Sequence, residues 1–312
     1  MAIPAIQIKD LVKTYDKDVA LRGVDISIRE GQFFGLLGPN GAGKTTTINI
    51  LTGLVRKDSG TTEIFGRDTI RDFRYTRSQI GISAQEISLD WFFSVERLLS
   101  FQAGYYGISK KRAQPRIELL LKKLGLVEKR KAKLRQLSGG MKRRYQLAKA
   151  LIHDPNILIL DEPTAGVDVE LRHELWEYLG QMHKEGKTIL LTTHYIEEAE
   201  LLCDKVAIID KGKIITEGSP EELTRQLGKA GITIQLSGWK EEINTLLNEF
   251  HYTHSNGRLH FTVRDPEEDM PRIIKILSQE GCHIQHVDTE KSSLEDVFLN
   301  LTGKGIDETG EK

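Results

Sequence analysis

The run Gly38-Pro39-Asn40-Gly41-Ala42-Gly43-Lys44-Thr45-Thr46 has the G-x-x-x-x-G-K-[ST] spacing of a phosphate-binding loop. Gly38, Gly41 and Gly43 free the backbone to turn its N–H groups inward, toward phosphate oxygens. A helix starting just after the loop adds a partial positive charge at the same place. Lys44 can neutralise β- and γ-phosphates, and the Thr45 hydroxyl can ligate Mg²⁺. Asp161-Glu162 closes the apolar run Ile157 to Leu160. If that run is a strand beside the loop, Asp161 can hold Mg²⁺ through a water. Glu162 can then take the proton of an attacking water, if a low-dielectric site keeps it basic. The same Asp-Glu-Pro also suits a plain strand-end turn; the phosphate loop in the same chain tips the balance toward chemistry.

A second glycine-bearing segment, Leu137-Ser138-Gly139-Gly140, precedes another helical stretch. It offers a second helix terminus for an anion. One nucleotide does not need two such loops. If the second caps the nucleotide of another copy, a two-fold dimer uses each loop once and holds two equivalent sites. The plainer alternative makes Ser138 a helix N-cap followed by a flexible Gly-Gly.

The elements that must position these residues follow from hydrophobic pattern. Phe33 to Leu37 and Thr188 to Thr192 read, like Ile157 to Leu160, as strands buried on both faces. Val24, Ile26 and Ile28 alternate with polar neighbours, as in a half-buried strand. Further strands are expected near Thr61 to Phe65, Ile80 to Ser83 and Val206 to Ile209, with Lys213 to Thr216 pairing back as a hairpin. Helices are expected over Thr45 to Leu54, Leu171 to Lys184 and Ile196 to Leu202. The stretch Ser94 to Lys149 is helical, with breaks at Gly107, Gly125 and Ser138-Gly139-Gly140. Alternating buried strands and helices predict a mostly parallel sheet covered on both faces. A boundary is expected near Gly228 to Gly231. Beyond it the order is strand (Ile232 to Leu236), helix (Glu241 to Phe250), strands (Tyr252 to Ser255, Leu259 to Val263), helix (Met270 to Glu280) and strand (Ile284 to Thr289). Asn256-Gly257 marks the hairpin. That β-α-β-β-α-β order is ferredoxin-like, and a last helix (Leu294 to Leu301) leads into a polar tail expected to be disordered.

Composition narrows the classes. A formal net charge of −1 gives no global pull toward nucleic acid. The 39% hydrophobic and 29% charged content is that of an ordinary globular chain. Cys203 and Cys282 lie far apart with no metal-type spacing, which suits thiols in a reducing compartment. MAIPAIQIKD lacks the basic-then-apolar pattern of a secretory signal, and no apolar stretch reaches bilayer length. Charge is uneven, with a basic stretch from Lys110 to Arg135 that holds Leu119, Leu120, Leu121 and Leu124 at helical spacing. It reads either as a solvated amphipathic face or as a surface for anions. His251, His254, His260, His283 and His286 fit no strong metal-ligand spacing and read as solvated or core histidines.

Taken in order, GPNGAGKTT, Gln85, LSGGM, ILILDEP, AGVD and Thr192-Thr193-His194 resemble the ATP-binding subunit of an ABC transporter, from Ile6 to about Leu227. THYIEEAE and the closing LEDVFLNLTG are similar to members serving ABC-2 type (drug or polysaccharide export) permeases. The resemblance implies an α/β fold. It comprises a P-loop NTPase (RecA-like) core with an antiparallel β-subdomain and a helical subdomain, plus the small α+β ferredoxin-like C-terminal domain. The ATP-binding domain would span 1–228, with its helical subdomain at about 88–145. Residues 229–312 would form a dimerisation or regulatory domain.

By position, Tyr15 matches the aromatic residue that stacks on adenine. Gln85 matches the glutamine that reaches Mg²⁺ and the attacking water. Ser138 and Gly140, flanking Gly139, match residues holding the γ-phosphate across the dimer. Asp168 matches the acidic residue of the loop joining the subunits, and His194 the histidine that contacts the γ-phosphate. Met141 stands where glutamine is commonest and Ala84 where proline often precedes the glutamine, so that loop has less built-in stiffness. The resemblance further implies ATP and Mg²⁺, a homodimer and an ABC-2 type integral membrane permease. It implies no nucleic acid, no direct membrane insertion, and a place in the cytoplasm, peripheral on the cytoplasmic face of the inner membrane. The aromatic region Asp90 to Tyr106 is a candidate groove for a permease helix, and equally a candidate for subdomain core. Rival readings are a P-loop kinase or GTPase, a soluble ABC-type ATPase acting without a permease, and a module that holds ATP without turnover. The chain shows no N-K-x-D guanine-reading motif, and a monomeric kinase has no use for LSGG.

Overall fold

The computed structural model describes residues 3–84, 92–228, 230–240, 242–263, 265–290 and 292–303. The chain divides into two compact units, Met1–Glu217 and Gly218–Lys312. In the first, β1 (Ile6–Tyr15), β2 (Asp18–Ile28) and β3 (Phe33–Leu37) lead into α1 (Lys44–Leu51). Then come β4 (Ser59–Ile64), β5 (Arg67–Asp68), α2 (Phe73–Gln79) and β6 (Ile80–Ser83). Helices α3 (Val95–Tyr105), α4 (Lys110–Lys123) and α5 (Gly139–Leu151) follow, with 3₁₀ turns at Val127–Lys129 and Leu134–Gln136. The unit closes with β7 (Ile157–Asp161), α6 (Val169–Lys184), β8 (Thr188–Thr193), α7 (Ile196–Leu202), β9 (Lys205–Asp210) and β10 (Lys213–Gly218).

The main sheet has the order β10-β9-β3-β8-β7-β6, and the pairs β9-β3, β3-β8, β8-β7 and β7-β6 are parallel. Every residue of β3, β7 and β8 is buried, as their unbroken apolar runs require. A second, antiparallel sheet has the order β2-β1-β4-β5. Its inward residues Ile6, Ile8, Val24, Ile26 and Ile28 share one core with Phe34 and Leu36 of β3 and Ile48 of α1. Helix α1 stops at Leu51, short of the expected Leu54, because Gly53 sits at φ +77° and turns the chain.

The second unit contains α8 (Pro220–Leu227), β11 (Ala230–Ser237), α9 (Ile243–Leu246), β12 (His251–Ser255), β13 (Arg258–Val263), α10 (Pro266–Gln279), β14 (His283–Glu290) and α11 (Leu294–Thr302). The order β12-β13-β11-β14, all antiparallel, is the ferredoxin-like arrangement. Ile232, Ile234, Leu259 and Phe261 pack against Ile273 and Leu277 of α10. The helix expected over Glu241 to Phe250 is a single turn. Among the described residues of that stretch only Ile243 and Leu247 are fully buried, and Asn244, Thr245 and Asn248 are weak helix formers. Conversely, α10 starts at Pro266 and not at Met270. Pro266 fills the first helical position, and the Asp265 side chain accepts from the N–H groups of Glu267 and Glu268. His251, His254, His260, His283 and His286 are all exposed. The polar tail expected to be disordered, 304–312, lies outside the described residues.

Candidate active site

Strand β3 delivers the glycine loop to α1. Gly38 passes so near β9 that a Cβ there would lie 2.3 Å from the Ile209 carbonyl oxygen. Gly43 is held at φ +111°, with a Cβ position 2.7 Å from Leu21. Neither position admits a side chain without moving backbone. Pro39, Asn40, Gly41, Gly43, Lys44, Thr45 and Thr46 line one cleft of about 350 Å³, together with Ala20 and Glu162. Ala42 is buried behind it.

Lys44 is 4% exposed and its Nζ donates to the carbonyl oxygens of Gly38 (2.7 Å) and Pro39 (3.3 Å). The same Nζ lies 3.2 Å from Oε1 of Glu162. The other carboxylate oxygen of Glu162 lies 3.3 Å from Nδ1 of His194. Burial pushes the Glu162 carboxyl up, but His194 and Lys44 together outweigh it and hold it below the ordinary glutamate range. Glu162 also occupies the left-handed region, φ +48°, costly for a residue with a Cβ and common at functional sites. Its N–H is tied to the Thr192 carbonyl at 3.0 Å, which fixes the turn.

Asp161 is 3% exposed at the end of β7. Its Oδ1 accepts from Thr192 Oγ1 at 2.5 Å and, more distantly, from Thr45 Oγ1 at 3.4 Å. Burial raises its value above the ordinary aspartate range, while the two threonine hydroxyls oppose this. Thr45 and Asp161 thus bring hard oxygen donors together, the set Mg²⁺ prefers.

Ser138, Gly139, Gly140 and Asp168 line a separate cleft of about 490 Å³. Ser138 is the N-cap of α5, its Oγ accepting from the Met141 N–H at 3.2 Å. Asp168 caps α6 in the same way, accepting from the Leu171 N–H at 2.9 Å. A Cβ on Gly140 would lie 2.2 Å from Leu171 Cδ2, whereas one on Gly139 would meet nothing within 4 Å. The phosphate loop and the SGG turn therefore open onto different clefts of one chain. Tyr15 is 44% exposed at the end of β1, near Lys13, and does not line the phosphate-loop cleft. Gln85 lies outside the described residues.

The sequence reading missed three contributors. Thr192 and Ala20 have no chemistry that marks them out in a sequence. Arg143 stands beside the SGG turn, and its guanidinium reaches the Ala84 carbonyl (3.3 Å) and Gln146 (3.2 Å). Burial lowers its value, against the opposing pull of Asp161 and Glu162, so this cation belongs to the site's field. Of the aromatic region, Trp91 lies outside the described residues, while Phe92, Phe101 and Tyr105 are exposed. Arg97 lies over the rings of Phe93 and Phe101, which meet edge to face at 5.1 Å.

Residues 21–165 match the family model described as ABC transporter, and residues 218–302 that of the ATP-binding protein DrrA1-3-like, C-terminal domain. The Nod factor export ATP-binding protein I of Burkholderia orbicola (strain AU 1054) is 38% identical over 97% of this chain and 99% of its own length. Its namesake in Cupriavidus metallidurans is 39% identical over 96% of this chain and 97% of its own. Among solved structures, the ATP-binding cassette MJ0796, a dimer in a post-hydrolysis state with ADP and Pi, superposes with a TM-score of 0.64. It is 26% identical and covers 69% of this chain and 98% of its own. CbiO1 of Clostridium perfringens, part of the transporter complex cbiONQ, gives 0.65 at 29% identity, over 78% of this chain and 95% of its own. A glycine loop, a buried Lys-Glu pair with a half-buried histidine beside it and a separate SGG turn on this fold, matched by relatives along nearly the whole chain, make it a member of the ABC transporter ATP-binding family, an ATPase that powers transport.

Proposed function

We propose that two copies of this chain sandwich two MgATP, each phosphate loop facing the SGG turn of the other copy, and that the pair drives export through a separate ABC-2 type permease. The observation that carries this reading is the split between two clefts. Lys44, Thr45 and Glu162 open onto one, and Ser138, Gly139, Gly140 and Asp168 open onto another.

In each composite site Gly38 to Thr46 cradles the phosphates through backbone N–H groups. Lys44 neutralises them, and Tyr15 stacks on the base. Mg²⁺, held by Thr45 with Asp161 and Gln85, would offset phosphate charge. Glu162 accepts the proton of the attacking water, and His194 holds the γ-phosphate side. Engaging phosphate draws Lys44 away from Glu162. That removes one of the two contacts holding the carboxylate down and makes it a stronger base. Ser138 and Gly140 grip the γ-phosphate from the other copy, so hydrolysis removes the contact that keeps the dimer shut. The name of the relatives supports export, and so does the match of residues 218–302 to the DrrA1-3-like C-terminal domain.

Complementation between two inactive variants tests the shared site. Gly139→Ala fits the single chain without a clash, so its effect arises only where another molecule faces it. Mixed with Lys44→Ala, it forms heterodimers with one fully native site and one doubly defective site. Roughly a quarter of parental ATPase activity should return if the subunits mix statistically and each site works alone. No recovery from subunits shown to exchange would exclude the shared site.

The permease contact is assigned to the α3 face bearing Arg97, Phe101 and Tyr105, where aromatic rings stand in solvent beside a guanidinium. No helix among the described residues is long and apolar enough to cross a membrane. The relatives' export name supports a place at the cytoplasmic face of the inner membrane, held there by the permease. A photo-cross-linker at Tyr105 should capture the co-expressed permease. Its failure to do so in every nucleotide state would remove this face from the interface.

A further inference from the structure

Behind the site lies a carboxylate that the ATP-site residues do not touch. Glu198, in the first turn of α7, is 1% exposed. Its Oε1 accepts two hydrogen bonds, one from Thr164 Oγ1 and one from Trp176 Nε1 at 3.0 Å. Among the described residues its Oε2 has no partner. Thr164 is 0% exposed and Trp176 3%. Burying a carboxylate against neutral donors is unfavourable, and an apolar side chain of similar volume would stabilise the fold as well or better. Stability alone therefore gives little reason for a carboxylate here.

Its three attachments explain it better. Thr164 stands in the turn that holds Glu162 at positive φ. Trp176 belongs to α6, the helix that Asp168 caps. Glu198 itself sits on α7, which follows directly from His194 at the end of β8. A single oxygen atom thus binds together the turn carrying Glu162, the helix behind Asp168 and the helix behind His194.

We propose that Glu198 is a positioning residue for hydrolysis: through Thr164 it sets the place of the Glu162 turn relative to His194. The inference deepens the ATPase reading given above, but it does not need Glu162 to be the base, only that this turn be in place for turnover. Displacements of about 1 Å in such a turn can cost on the order of 100-fold in rate.

The test is a cycle of Glu198→Ala, Thr164→Val and the double variant, with Glu198→Gln as the conservative control. Turnover at saturating MgATP, KM for ATP and melting temperature are read on each. Both single variants should lower kcat roughly 10- to 100-fold while KM stays within about twofold. The double variant should be no slower than Glu198→Ala, because the two act through one bond. Glu198→Gln keeps the accepting oxygen and should recover most of the rate. Thr164→Val removes only a hydroxyl, so it carries the test should Glu198→Ala fail to fold. A kcat within about twofold of the parent in folded Thr164→Val overturns the proposal. So does a melting-temperature loss with no change in kcat, or full additivity in the cycle. A normal rate in Glu162→Gln would sink the base assignment instead, and leaves this cycle readable.

Discussion

Glu162→Gln should bind MgATP as tightly as the parent, turn it over about 10²–10⁴ times more slowly and accumulate as a dimer. Glutamine keeps the volume of the side chain and can still reach Lys44 and His194, so the turn at φ +48° and the phosphate loop stay as they are. What it loses is the oxygen proposed to accept the proton. With the γ-phosphate left attached, the bond between subunits is never released. Phosphate release and size-exclusion with light scattering give the two readouts. A variant that hydrolyses at the parental rate would show that another group takes the proton. One that is slow yet stays monomeric under saturating MgATP would separate turnover from closure and contradict the shared site.

Lys44→Ala should weaken MgATP binding itself, by roughly 10- to 100-fold, the value of a charge-assisted hydrogen bond to phosphate. Equilibrium binding of a fluorescent ATP analogue measures it, and an unchanged affinity would contradict the phosphate-loop assignment. The substitution also strips Glu162 of its contact with the Lys44 ammonium, 3.2 Å away. Because Glu162 is held below its ordinary value of 4.5, its ion contacts contribute stability that is present above pH 4.5 and is lost as pH falls through the lower folded value. Parent and variant should therefore differ most in denaturant melts near neutral pH and converge in acid.

Much of this site was legible because its chemistry is carried by short runs whose spacing is itself the signal. The glycine loop, the acidic pair after an apolar strand and the SGG turn needed no tertiary information to be noticed. Buried strands were equally plain, since an unbroken apolar run bounded by Asp-Pro or Gly has few other uses. What escaped was polar. Helix α8 announces itself through Ser219, Pro220 and Glu222, a capping box with proline at the first helical position. It has only one fully buried apolar residue, Leu223, so hydrophobic periodicity passes over it. The early start of α10 was hidden for the same reason. Thr192 and Glu198 were out of reach altogether, because their parts depend on which strands become neighbours. Asp161 meets Thr192 only because β7 pairs with β8 in that register.

The fit of Gly140 against Leu171 bears on how movement passes through the molecule. The notch left by the missing side chain seats a leucine of α6, and Arg144 of α5 bonds Glu174 of the same helix. Helices α5 and α6 are keyed together at their N-terminal ends, where Ser138 and Asp168 sit. Any displacement of α5 would thus be passed to the Asp168 cap through these contacts. A push on that cap from a neighbouring molecule would therefore be felt first by α5, and through it by the proposed permease-facing helix α3.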